Sequence, residues 1–209
     1  MNSKQITDLL LVIQVTITLL ISLRAFYLYT RTHSDAIFSV GLSMGVIALG
    51  GITGLLGDTL LAKSGINTLW FRYIGQTVSY LFIFLTSLRG SERYFRHLKQ
   101  WHLIASALLL VLLFVTPLIP TSSNPITLAI LSGSRSVVCF AIFLNYAMIF
   151  IVKETRFSFL MSLAFLMISF GIWLYTMKFI VPGSVSFDYV GDSIRIVGLV
   201  TLLIALFIG

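Results

Sequence analysis

ITLAILSGSRSVVCFAIFLNYAMIFIV, residues 126–152, holds a single charged side chain, Arg135, in a run long enough to cross a bilayer. Similar apolar blocks recur from one end of the chain to the other. Spans fall at Ile6–Tyr29, Ala36–Leu61, Leu69–Leu88, His102–Ile119, Ile126–Val152, Phe157–Val181 and Ser186–Gly209. The bilayer core offers no water to backbone groups, and the alternating segments of about ten residues that a membrane β-barrel needs are absent. The expected fold is therefore an all-α integral membrane protein, a single bundle of seven transmembrane helices.

Composition agrees. Of the 209 residues 58% are hydrophobic and 10% charged, against about 25% charged in soluble domains. The formal charge of +7 forms no basic stripe of the kind a nucleic-acid partner needs. Positive-inside topology accounts for it instead. Connections and helix ends after spans one, three and five hold Arg24, Arg31, Arg89, Arg93, Arg96, Lys99, Lys153 and Arg156, while the other side holds Lys4, Lys63 and Lys178. The first set belongs in the cytoplasm, which places the N-terminus outside and the C-terminus inside a cell membrane. The first block has no small-residue cleavage site after it and reads as a retained span. The stretch Arg89–Trp101 reads as a basic interfacial loop, with a lipid-binding or signalling helix as the sharper alternative.

Charges inside spans are costly and normally face the bundle interior, a partner or a polar cavity. Five stand out: Asp58, Arg72, Arg135, Asp192 and Arg195. Helical spacing adds Gln76, Ser79 and Tyr80 to the face of Arg72, Asp188 to that of Asp192 and Arg195, and Ser132, Ser136 and Cys139 to that of Arg135. Thr7, Gln14, Thr18 and Ser22 form a milder face on span one. Arg135 and Arg195 lie roughly 14 Å from the outer helix ends at 1.5 Å per residue, too deep for both to snorkel. They are expected to pair with Asp58 or Asp192, or to line a cavity together. Three arginines against two aspartates leave one positive charge over, so a small anionic or carbonyl-bearing ligand, or a lipid, suits an outer-half pocket of Asp58, Arg72, Gln76, Tyr80, Arg135, Asp192 and Arg195. A purely structural set of ion pairs is the competing reading.

Catalysis is not expected. His33, His97 and His102 stand in or beside cytoplasmic loops and show no metal-ligand spacing. Axial ligands for haem are missing from the spans, neither a hydrolase nor a protease constellation is visible, and no cofactor is expected. The lone Cys139 forms no internal disulfide. Span two carries Gly41, Gly45, Gly50, Gly51, Gly54 and Gly57, a pattern for close packing within the bundle or, alternatively, for a homodimer.

Arg72-Tyr73-Ile74-Gly75-Gln76 through Leu88, the basic stretch that follows, Gly171-Ile172-Trp173-Leu174 and Asp192 to Gly198 resemble parts of the seven-helix sensory domains that precede histidine kinases and diguanylate cyclases in bacteria and archaea. The resemblance implies a receptor with an outward-facing ligand site and a cytoplasmic output joined to the last helix. Span seven is also similar to that of microbial rhodopsins, but Ile196 occupies the position of the retinal lysine, so no retinal Schiff base is expected.

Two alternatives compete with a receptor. Arg72-Tyr73-Ile74-Gly75 and Arg195-Ile196-Val197-Gly198 share Arg-x-[Ile/Val]-Gly, and Phe38-Ser39 and Phe157-Ser158 stand at nearly equal offsets. Such matches suit a parallel 3+1+3 repeat and a small-solute transporter. Against transport, Pro117, Pro120, Pro125 and Pro182 all sit at span ends, leaving no span broken by proline. The other alternative is a structural subunit of a membrane complex. The apolar stop Thr201–Gly209 lacks an interfacial anchor, which leads one to expect a parent chain continuing into a signalling module.

Overall fold

The computed structural model describes residues 3–59, 67–88, 90–120, 124–181 and 186–208, with the side chains of 3, 4, 58, 59 and 186 excepted. These residues form seven α-helices and no strand: α1 (Ser3–Thr32), α2 (Asp35–Thr59), α3 (Leu69–Ser87), α4 (Glu92–Val115), α5 (Pro125–Lys153), α6 (Arg156–Met177) and α7 (Ser186–Ile208). Six of them, all but α3, are long and apolar enough to cross a membrane. The chain is an all-helical, multi-pass membrane protein. Helix α3 is the polar one, because Arg72, Gln76, Thr77 and Ser79 dilute its apolar residues. It spends that polarity inward, with Gln76 and Ser79 both buried.

Local chemistry sets the helix ends. Asn124 caps α5 by accepting from the Ile126 N–H, with Pro125 in the first helical position, where its missing N–H costs nothing. At the other end Glu154 adopts φ 49° and its N–H returns to the Phe150 carbonyl at 2.7 Å. Thr155 then caps α6 through the Ser158 N–H. Likewise, Ser91 accepts from the Tyr94 N–H, and this cap starts α4 ten residues before the expected His102. The described part of Arg89–Trp101 is therefore mostly helix, a correction to the loop expectation. His102 moves with it. It is buried inside the bundle, stacked on Phe82 with ring centroids 4.1 Å apart and its Nε2 3.4 Å from Ser43 Oγ, not in or beside a loop. The sequence obscured this because Arg93, Arg96 and Lys99 mask the periodicity of the first turns. Lys99 is drawn back to α2, pairing with Asp35 at 2.8 Å and donating to Tyr29 Oη at 2.9 Å. Helix α6 ends at Met177 rather than Val181. The last residues of span two, Arg89 and residues 121–123 of the fourth connection lie outside the described residues.

Among the described residues, α1, α2, α3, α5, α6 and α7 each touch the next in that order, and α7 touches α1. The result is a closed ring of six helices. Helix α4 stands outside it, packed mainly against α2 and α3, with Lys99 also reaching Tyr29 of α1. Its outer face, with Trp101, Leu108, Val111 and Phe114 exposed, suits lipid contact. The ring encloses a core built around Ile21, Met44, Phe165, Ile168, Leu199 and Leu202.

Glycines set two kinds of contact in this ring. On α2, Gly41 faces Ala25 and Phe26 of α1, and Gly51 faces Val15, so side chains of one helix fill notches in the other. Between α6 and α7 the backbones themselves meet. A Cβ on Gly171 would stand 2.6 Å from the Gly191 carbonyl oxygen, one on Gly191 2.7 Å from that of Gly171, and one on Gly198 2.9 Å from that of Ala164. Small residues at such crossings let helices pack by van der Waals contact where lipid offers no hydrophobic drive.

Candidate polar centre within the ring

Arg135 on α5 is 2% exposed, and every part of its guanidinium is engaged. Nη1 donates to Gln76 Oε1 on α3 in a short hydrogen bond. Nη2 donates to Ser132 Oγ at 2.7 Å, and Nε to the Ser132 carbonyl at 3.3 Å. The ring of Tyr73 lies under the cation with its centroid 4.4 Å away. Ser132 and Thr176 of α6 share a hydroxyl bond of 2.8 Å, and the Thr176 hydroxyl also donates to the Ile172 carbonyl. One turn further along α5, Ser136 and Ser169 each donate to the other's carbonyl at 2.9 Å. These bonds tie α3, α5 and α6 together through neutral acceptors.

Arg195 on α7 is 7% exposed and differently placed. Its Nε is enclosed without a hydrogen-bond partner. Tyr80, wholly buried on α3, is the hydroxyl beside the Arg195 guanidinium, close enough to interact with it though outside strict hydrogen-bond geometry. Asp192, 8% exposed, is the described carboxylate in the neighbourhood of Arg195. No ion pair joins it to Arg195 or Arg135 among the described residues. The expected pairing of either arginine with Asp192 is therefore not present. Asp58 lies on α2, but its side chain is outside the described residues.

Of the other expected residues, Gln76 meets Arg135 and Tyr80 meets the field of Arg195. Arg72 is half-buried and lies along α2, where a Cβ on Gly54 would come 3.4 Å from its Nη1. Glycine at that position leaves room for the side chain to lie flat. Arg72 and Arg195 both add positive potential at Arg135. Asp188 is held by Lys178 at 3.3 Å at the α6–α7 end. Sequence reasoning missed Tyr73, Thr176 and Ser169. Tyr73 directly follows Arg72 and reads as an adjacent face, while the two α6 hydroxyls belong to a buried face of Ser158, Ser162, Ser169 and Thr176 at i, i+4, i+11 and i+18, a helical spacing that could have found them. Further enclosed polar atoms without a partner are Gln14 Nε2 on α1 and Ser79 Oγ on α3.

Two arginines are thus enclosed in one ring, one with each guanidinium nitrogen bonded to a neutral group and the other with an unbonded Nε–H. Such an arrangement can hold an anion or a carbonyl oxygen, because the unbonded Nε–H of Arg195 gains from an external acceptor. Compared with family models, with curated proteins and with solved structures, the chain matches none.

Proposed function

We propose that the chain is a seven-span receptor domain of a cell membrane, N-terminus outside, whose polar centre binds a small anionic or carbonyl-bearing ligand. The observation that carries this reading is the enclosure of Arg195 with Nε unbonded and no ion pair to its neighbouring Asp192. Buried charges that serve packing alone are normally satisfied by an ion pair or by hydrogen bonds at each nitrogen, as Arg135 is, since desolvation of an unsatisfied cation is expensive. Helix α3 counts as the seventh span on this reading; its 19 residues reach roughly 28 Å at 1.5 Å per residue. Signalling would run through α7. A ligand held between Arg195 and Tyr80 favours one α7 position over another through differential affinity, and the seam at Gly171, Gly191 and Gly198 couples any such shift to α6. Reporters fused after Arg96 and after Arg156 should read cytoplasmic.

The test is mass spectrometry of small molecules that co-purify with the full chain. A specific anion or carbonyl compound should accompany the wild type and be lost from Arg195→Gln. Equal recovery from both, or none from a wild type purified in native lipid, contradicts the proposal.

A transporter is the second reading, favoured by the way α1–α2–α3 and α5–α6–α7 form consecutive sets closed by α3 on α5 and α7 on α1, with α4 outside. That arrangement suits a 3+1+3 repeat. Uptake of the co-purifying compound into sealed vesicles would favour it.

A further inference from the structure

At the opposite end of the ring from the polar centre lies a cavity of about 540 Å³, walled by residues from all six ring helices. Its size falls within the ~300–1,000 Å³ common for small-molecule sites. The site is distinct from the polar centre, because Lys153 at its rim is 18 residues beyond Arg135 on α5, roughly 27 Å at 1.5 Å per residue. Leu28, Ile37, Ile149 and Leu206 make much of the wall apolar. Most of its hydroxyls are already committed: Thr32 donates to the Leu28 carbonyl, Thr86 to Ile83, Ser87 to Phe84 and Ser158 to Thr155. A polyhydroxylated ligand such as a sugar or nucleoside would find few partners there. Two groups remain uncommitted among the described lining residues. The Lys153 ammonium makes no ion pair and the Tyr146 hydroxyl no hydrogen bond, and the two stand two turns apart on α5.

An apolar cup with one free cation and one free hydroxyl matches a molecule with an apolar body and one anionic end. We infer that this cavity binds an amphipathic monoanion, of the chemistry shared by free fatty acids and anionic lipids. The carboxylate or phosphate would meet Lys153 at the rim while the chain runs inward past Tyr146 and lies against Ile149 and Leu206. Since Leu206 belongs to α7, occupancy would bear on the helix that closes the ring against α1. The inference does not rest on the receptor reading, and its test leaves the polar centre untouched.

The full chain is placed in nanodiscs of zwitterionic lipid and titrated with dodecanoate and, separately, with dodecanol. The wild type should bind dodecanoate about tenfold more tightly than dodecanol, in line with a charge-assisted hydrogen bond. Lys153→Met should remove that preference while keeping dodecanol binding, and Lys153→Arg should restore it. Ile149→Trp, which fills the cup, should weaken both ligands; the secondary-structure signal of each variant establishes that it is folded. Adding an anionic phospholipid to the disc separates the sources: displacement of dodecanoate assigns the site to membrane lipid, and retention assigns it to the free acid. Equal affinity for dodecanoate and dodecanol in the wild type, or a preference that survives Lys153→Met, would overturn the inference.

Discussion

Arg135 and Arg195 are the same residue type, buried to a similar degree in one ring, yet their surroundings differ in kind. The first is bonded by Gln76, Ser132 and the face of Tyr73, so it joins α3 to α5 without needing a carboxylate. The second stands where α6 and α7 run backbone to backbone, a crossing so close that a Cβ on Gly171 would stand 2.8 Å from the Arg195 backbone nitrogen. Close backbone approach leaves little side chain from α6 to supply acceptors. Arg195 is consequently left with Tyr80 and Asp192 as neighbours and with Nε unbonded. A buried arginine can thus be structural or receptive depending on what the helix beside it offers.

The largest effect expected is at the crossing itself. Gly171→Leu forces the Gly191 carbonyl and the Arg195 backbone away, and should cost about 3 kcal/mol of unfolding free energy in bicelles. A loss below about 1 kcal/mol would show that α6 and α7 separate easily and that the seam does not fix Arg195. Next comes Arg135→Met, which leaves the Gln76 carbonyl and Ser132 without their donor. It should destabilise by about 2 kcal/mol, the usual penalty for stranded buried polar groups. Arg195→Met is the contrasting case, because it removes a desolvated cation that no ion pair repays. Stability should change by less than about 1 kcal/mol, or rise. If both arginine variants lose equally, the distinction between the two regions fails.

The membrane class and most of the helices were legible because blocks of apolar residues report length and solvent directly, as in residues 126–152. The start of α4 was not. Its first turns alternate Arg93, Arg96 and Lys99 with aromatics, and the signal that sets the boundary is the single hydroxyl of Ser91. Within the candidate site, the shared faces of Gln76 with Tyr80 and of Ser132 with Arg135 followed from helical spacing. The choice of partner did not, since spacing orders residues on one helix but says nothing of which helix stands opposite. That Gln76 rather than an aspartate would meet Arg135 depends on α3 and α5 being neighbours, a fact fixed by the closure of the ring. The glycines of α6 and α7 are likewise too widely spaced to stand out beside the dense run on α2, although they make the tighter contact.

Arg195 differs from Arg135 in having an unbonded Nε–H and no ion pair among the described residues. A double-mutant cycle of Arg195→Met and Asp192→Asn, read by equilibrium unfolding of the full chain in bicelles, measures how far Asp192 neutralises Arg195. A coupling below about 1 kcal/mol is expected, because the two side chains are neighbours without an ion pair. A coupling of about 3 kcal/mol, the scale of a buried salt bridge losing one partner, would show that Asp192 already neutralises Arg195 and leaves no charge for an anion to meet.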